Sequence, residues 1–308
     1  MPLPRCPYLL ALILVTLAWP ALAAPSLRFF VLGDTPYSEG EFLQLEGLLA
    51  DAAEARPAFI IHVGDIKSGS SPCTDAYNAR VATLFRGLPV PLAYTPGDNE
   101  WTDCWRAGGD PMERLAALRR DFYRDRGVLR LDRLGAIQPD PDYPENYYFR
   151  IGGLTFAAIH VVGSQNGLKS KDDGAPAEWR ARSAANRALL ERAVAAANTA
   201  GAGALVVFFQ ADPEFEQAET RPGFAPLIQD LGRLLRAFAG PILVIHGDNH
   251  RYVLDQPFRH PGAGGPATRL TRLEVPGSPL VAGVWVTYDP TLSPPFCFDR
   301  TYPDPTGP

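Results

Sequence analysis

The sequence predicts a layered α/β sandwich, on two observations. Apolar runs of strand length alternate with stretches of helical period from residue 27 to residue 245, which is the signature of βαβ units. Four apolar runs end in the same dipeptide, Gly-Asp, where a strand gives way to a loop.

Residues 27–32 (LRFFVL) form a buried-strand run, and Phe42, Leu45, Leu48, Leu49 and Ala52 then recur at helical spacing. Residues 58–63 and 90–95 read as the next two strands. Asp110 is placed to cap a helix, with Pro111 in the first helical position and Glu113 spaced for a capping box. Residues 135–146 (GAIQPDPDYPEN) read as a surface loop. Strands at 147–151 and 154–161 follow, joined by Gly152 and Gly153 as a hairpin turn. A helix over 178–198 gathers Leu189, Leu190, Ala193, Val194 and Ala197 on one face and stops at Gly201. Residues 204–209 (ALVVFF) are a strand, Leu227, Leu231, Leu234, Leu235 and Phe238 mark a helix, and 241–245 is a strand again. Residues 257–268 are loop, with His260 exposed to solvent in it, and 269–275 and 281–288 are strands. The last twenty residues are Pro-rich and read as a tail extended over the surface.

Residues 1–23 read as an export signal. Arg5 precedes a twelve-residue apolar run, too short to span a bilayer, and the run ends in an A-x-A cleavage pattern at Ala23. Cys6 precedes that run, whereas a lipoprotein cysteine would follow it. Residues 24–308 are then a single domain with a Pro-rich C-terminal tail, placed in the periplasm or secreted, with no membrane insertion after cleavage. Removing one arginine and no acidic residue shifts the net charge from −5 to −6. No Lys/Arg block stands out, which argues against nucleic acid as a partner. Cys73, Cys104 and Cys297 remain. Cys73 and Cys104 each follow a Gly-Asp loop by a few residues and are paired on that ground; pairing of either with Cys297 is left open.

The Gly-Asp loops carry the chemistry. They are Gly33-Asp34, Gly64-Asp65, Gly97-Asp98-Asn99-Glu100 and Gly247-Asp248-Asn249-His250. In layered α/β folds, sites collect at the carboxyl ends of strands. A lone Gly-Asp is an ordinary turn, but four at strand ends aim four carboxylates into one crevice. Such a cluster repels itself unless a cation balances it, and hard divalent cations favour oxygen ligands.

In their order, each at the end of an apolar strand and with Gln210 between the third and fourth, these motifs resemble the calcineurin-like metallophosphoesterase superfamily, over roughly residues 27–254. The resemblance implies a four-layer αββα sandwich and a centre of two divalent metals that hydrolyses a phosphoester. By position, Asp34 binds the first metal, Asp65 bridges both, and His250 completes the first. Asp98 stands where the family has the Asn ligand of the second metal, and Gln210 and Asp248 stand where it has two His ligands. Asn99 replaces the usual catalytic His, so it steadies the phosphate but has no proton to give near neutral pH. Asp65 and Asn99 are thus the catalytic candidates, and Asn99 and Asn166 the substrate-binding ones. Tyr37 is a further candidate ligand. The oxygen-rich set suits Mn, Mg or Ca better than an imidazole-rich Zn/Fe pair and favours Mn or Mg, without distinguishing among Mn, Mg, Fe, Zn and Ca.

Other residues admit plainer readings. His62, His160 and His246 lie beside the loops and read as buried, hydrogen-bonded structural histidines, with orientation of the loops as the competing role. A turn role for Asn166 stands beside the substrate role. Trp101 and Trp105 either wall a pocket or pack on Cys104. Lys67 either meets phosphate or is solvated. Asp212 and Glu214 either join the metal shell or form a turn.

The function expected is metal-dependent hydrolysis of a phosphomonoester or phosphodiester, with a small phosphorylated substrate. The alternative is a non-catalytic metal- or ligand-binding protein on the same fold. A serine hydrolase is disfavoured, because no G-x-S-x-G elbow is present.

Overall fold

A computed structural model describes residues 26–170, 172–259 and 267–302. The signal segment, Cys6 and His260 lie outside them. The chain opens with two βαβ units: β1 (Leu27–Leu32), α1 (Glu39–Glu54), β2 (Ile60–His62), α2 (Asp75–Gly87) and β3 (Leu92–Tyr94). Two short helices follow, α3 (Pro111–Leu118) and α4 (Arg126–Leu129), then the hairpin of β4 (Tyr147–Ile151) and β5 (Leu154–Ala158). A single turn, α5 (Gly163–Asn166), leads into the long helix α6 (Ala175–Ala200), then β6 (Ala204–Phe208), α7 (Ala225–Ala237) and β7 (Ile242–His246). The remaining strands are β8 (Val253–Asp255), β9 (Leu270–Glu274), β10 (Val284–Tyr288) and β11 (Phe296–Arg300).

The strands make a five-stranded sheet, β11-β10-β1-β2-β3, and a six-stranded sheet, β4-β5-β6-β7-β9-β8. The two face each other across aromatic side chains. Phe29 of β1 meets Phe156 of β5 edge-on at 5.3 Å, and Phe59 meets Phe149 of β4 at 5.2 Å. Such pairs add attraction beyond their buried area. Helices α1 and α2 bury Phe42, Leu45, Leu49, Val81 and Phe85 with the first sheet. Helices α6 and α7 bury Leu189, Leu190, Ala193, Leu231 and Leu234 on the outer face of the second. The result is the four-layer αββα sandwich.

Local signals behave as their chemistry requires. The Asp110 carboxylate accepts from Met112 N and Glu113 N at the start of α3. Gly152 and Gly153 both take positive φ, 59° and 80°, in the β4–β5 turn.

Two elements depart from expectation. Helix α2 is a full helix capped by Thr74, which accepts from Tyr77 N. Its buried face is only Asn78, Val81, Ala82 and Phe85, too sparse a stripe to announce itself. The tail is not merely draped on the surface. Its residues 296–300 pair antiparallel with β10, with Phe296 opposite Tyr288 and Arg300 opposite Val284. Phe296 packs on Tyr288 at 5.5 Å, so a single buried aromatic and a free sheet edge anchor a Pro-rich segment.

Strands β1, β2 and β3 run parallel, as do β5, β6, β7 and β9. Their carboxyl ends therefore deliver the Gly-Asp loops and Gln210 to one rim of the sandwich.

Candidate metal centre

The loops reverse sharply as they leave the strands. Asp34, Asp65, Asp248 and His250 all have positive φ, 51°, 55°, 84° and 59°, as do Ser164, Gln165 and Asn166 in α5. Asp and Asn tolerate this region better than other residues, and such strained positions concentrate where a fold holds side chains for a task. Gly64 sits at φ +99°, and a Cβ there would stand 2.5 Å from Gly97 N. Glycine is what lets the Asp65 loop lie against the Asp98 loop. Asp34 N donates to Gly64 O at 2.9 Å, locking the first loop to the second.

Four carboxylates converge. Asp65 Oδ1 accepts from Asn99 N at 3.1 Å, and Asp65 Oδ2 accepts from Tyr37 Oη at 3.0 Å, Asn99 Nδ2 at 2.8 Å and Gln210 Nε2 at 3.2 Å. Asp34 Oδ1 accepts from Asp248 N at 3.0 Å and lies 4.0 Å from His250 Nε2. Asp98 Oδ2 and Asp248 Oδ1 both close on the same point beside Gly163, 2.4 Å and 3.1 Å from where a Cβ would be. Gln210 Nε2 reaches Asp248 Oδ1 at 3.3 Å. His250 Nδ1 is held by Ser278 O at 2.6 Å, leaving Nε2 toward the cluster, 3.2 Å from Tyr37 Oη.

Burial pushes Asp34, Asp65 and Asp98 well above the usual carboxylate range, and repulsion among them, Asp248 and Glu100 adds to it. Burial likewise lifts Asp248 to about 6. Asp34 is fully buried, and its Oδ2 has no hydrogen-bond partner. No three His, Cys, Asp or Glu side chains among the described residues are drawn together closely enough to hold an ion as placed. The hydrogens of Tyr37, Asn99 and Gln210 are interposed between them. The donor set nonetheless fits a hard divalent cation: buried carboxylates raised by mutual repulsion, an unpartnered carboxylate oxygen and one imidazole nitrogen.

The sequence candidates are thus brought together, with differences of role. Gln210 joins the cluster by its amide nitrogen, because its Oε1 accepts from Gly163 N at 2.9 Å. Asn166 does not join it. Its Oδ1 is taken by Arg182 Nη1 and by Val162 N, and it is 2 % exposed, so it serves the turn. Tyr37, a mere candidate by sequence, has its hydroxyl at the centre. Asp212 is adjacent, with its N–H donating to Asp248 Oδ2 at 2.9 Å, while Glu214 pairs with Arg221 at 2.6 Å.

The surrounding residues fix the loops. Lys67 is neither solvated nor free for phosphate. It is 3 % exposed, and its ammonium donates to Ser68 O at 2.7 Å and Asn99 O at 2.8 Å. Glu100, part of the third Gly-Asp loop but given no role of its own by the sequence, accepts through Oε1 from Ile66 N at 3.1 Å and Tyr94 Oη at 2.9 Å. The disulfide joins Cys73 and Cys104, and Cys297 is free and exposed. Trp101 is buried against His160 and Arg182, each 5.3 Å away. His62, His160 and His246 are fully buried, bonded to Thr35 O, Glu145 and Gly247 O respectively. His62 also accepts from Gly64 N at 3.2 Å, so it touches the loops of both Asp34 and Asp65.

A profile of the calcineurin-like phosphoesterases matches residues 27–252. Among solved structures, PhoD is similar with a TM-score of 0.54 at 11% identity, over 88% of this chain and 65% of that one. The chain thus spans just under two thirds of PhoD. A dimetal phosphatase from Danio rerio is similar with a TM-score of 0.52 at 12% identity, over 85% of this chain and 95% of that one. At these identities the two likenesses are of fold alone. No protein of curated function matches.

Proposed function

Because the chain belongs to the calcineurin-like phosphoesterase family, we propose that it hydrolyses a small phosphomonoester or phosphodiester in a metal-dependent reaction outside the cytoplasm. Divalent metals, usually two, come with that family. The observation that carries the reading is the convergence of Asp34, Asp65, Asp98 and Asp248 with His250 at one rim of the sandwich.

Asp34, Asp65, Asp98, Asp248 and His250 are the residues that would hold metal. A divalent cation there supplies Lewis acidity toward a phosphoryl oxygen and acidifies water. Asp65 is the central acceptor, since Tyr37, Asn99 and Gln210 all donate to it. Asn99 Nδ2 lies among the clustered carboxylates, donating its two hydrogens to Asp65 Oδ2 at 2.8 Å and Tyr37 Oη at 2.9 Å, and would steady a phosphoryl oxygen by exchanging one of these partners for it. Burial and the neighbouring carboxylates push the Tyr37 phenol up, so it stays neutral and donates. No imidazole stands at position 99 to protonate the departing oxygen. The site therefore suits substrates whose leaving group departs as a stable anion.

Export is supported by the signal-like residues 1–23 and by the Cys73 to Cys104 bridge, which an oxidising compartment favours. No helix among the described residues is long and apolar enough to cross a membrane.

The test is turnover of p-nitrophenyl phosphate and bis-p-nitrophenyl phosphate by Mn²⁺-loaded protein, beside Asp65→Asn. Turnover of either substrate, lost by roughly 10²-fold or more in the variant, is the expected result. Bound metal with no turnover of either substrate would favour the non-catalytic binding protein.

A further inference from the structure

We infer that this chain holds a single divalent cation, and that the Gln210 amide closes the second position. The inference rests on the metal-dependent reading above and concerns the number of ions at the same site.

Gln210 is fully buried at the end of β6, and its backbone is clamped on both sides. Its N–H donates to Val161 O at 3.1 Å, and its carbonyl accepts from Gly247 N at 2.8 Å. The side chain is equally fixed. Gly163 N stands 2.9 Å from one end of the amide. A backbone N–H only donates, so that end is the oxygen. The other end is the NH₂ group, whose nitrogen has no lone pair to offer a cation. It lies 3.2 Å from Asp65 Oδ2 and 3.3 Å from Asp248 Oδ1. Turning the amide over would set NH₂ against N–H and a carbonyl oxygen against two carboxylates, losing all three bonds.

Geometry groups Asp65, Asp98, Gln210 and Asp248 around the second metal position: Gln210 reaches Asp65 and Asp248, and Asp98 and Asp248 close on Gly163, whose N–H Gln210 accepts. One of these four presents hydrogens, and two of the others face them. A cation there would meet the positive ends of N–H dipoles. The amide instead takes over part of a cation's work by donating to both carboxylates. The first position keeps acceptors to offer: Asp34 Oδ2 is buried with no hydrogen-bond partner, and His250 Nε2 faces the Asp34 carboxylate at 4.0 Å. The donor between His250 and Asp65 is the Tyr37 hydroxyl, whose oxygen, unlike an amide nitrogen, retains lone pairs for a cation.

The experiment strips the purified protein of metal, loads it with excess Mn²⁺ and desalts it. Bound manganese is then counted by elemental analysis, beside its EPR spectrum and p-nitrophenyl phosphate turnover. The expected result is about one ion per chain with the hyperfine pattern of isolated Mn²⁺, rising about twofold in Gln210→His, where an imidazole restores a ligand. Two ions per wild-type chain, with an exchange-coupled spectrum, would overturn the inference while leaving the hydrolase reading standing. No retained metal overturns it too, and if turnover is also absent the hydrolase reading falls with it. A Gln210→His protein that folds and still holds one ion overturns the role given to Gln210. Should that variant fail to fold, the wild-type count decides alone.

Discussion

At the scale of single residues, the site is defined by exchanges of imidazole for oxygen and amide groups. Asn99 is the most consequential of them. Its Nδ2 lies 2.8 Å from Asp65 Oδ2, so a residue at this position reaches the reacting region, yet an amide has no proton to give. Asn99→His should therefore raise kcat selectively for alkyl phosphates, which need a protonated leaving group, by about tenfold or more relative to p-nitrophenyl phosphate. Paired kcat measurements on the two substrate types check this; an equal change for both would mean that position 99 acts only by binding. The four Asp positions were legible from the apolar run before each Gly. The direction of the Gln210 amide was not, because it is set by Gly163 N, which lies 47 positions away in sequence.

At the scale of elements, the loop after β3 is the one most heavily braced. Lys67 ties it to the loop after β2, Glu100 pins Ile66 N and Tyr94, and the disulfide of Cys73 and Cys104, 31 positions apart, closes a segment that contains it. Cys104 Sγ lies 3.2 Å from Glu100 O and Cys73 Sγ 3.6 Å from Asn99 O. The bridge thus touches the backbone that aims Asn99. The double variant Cys73→Ser, Cys104→Ser should lose about 3–4 kcal/mol in urea unfolding. It should also lose turnover at temperatures where it remains folded. Lost stability with unchanged kcat would show that the bridge staples the fold without positioning Asn99. The pairing was favoured in the sequence because both cysteines follow Gly-Asp loops. The cage of Lys67 and Glu100 was not visible there, since its partners are backbone atoms.

At the scale of the whole molecule, stability and pH are linked through two opposed sets of carboxylates. In metal-free protein, burial raises Asp248 from its ordinary 3.8 to about 6, and Asp34, Asp65 and Asp98 move the same way. A raised carboxyl contributes stability that is complete below the unfolded value and is lost as pH rises through the folded one. Glu145 is the reverse. Burial alone would raise it, but His160 and the Arg119 guanidinium outweigh that and hold it at about 2, below its ordinary 4.5. Its contribution is present above 4.5 and lost as pH falls through about 2. Metal-stripped protein should therefore melt highest at roughly pH 4–5 and lower on both sides. Mn²⁺ should raise the melting temperature most at pH 7, where it binds the ionised carboxylates. Glu145→Gln should flatten the acid limb alone. Calorimetry from about pH 3 to 8, with and without Mn²⁺, reads all three; a metal-stripped protein more stable at pH 7 than at pH 5 contradicts the account.

The sequence by itself determined the layered fold and the four aspartates that cluster. Apolar periodicity, helix caps and Gly-Asp at strand ends are local signals, each written within a few residues. Tertiary structure decided what periodicity does not encode. It made a helix of residues 75–87, whose apolar stripe is sparse, and a sheet edge of residues 296–300, which needed β10 as a partner. It also brought the Tyr37 hydroxyl to the centre, turned Asn166 to Arg182 and set the Gln210 nitrogen between two carboxylates. Each of these depends on groups distant in sequence meeting at the common rim of two sheets. A hydrogen bond's direction is fixed only when both partners are in place.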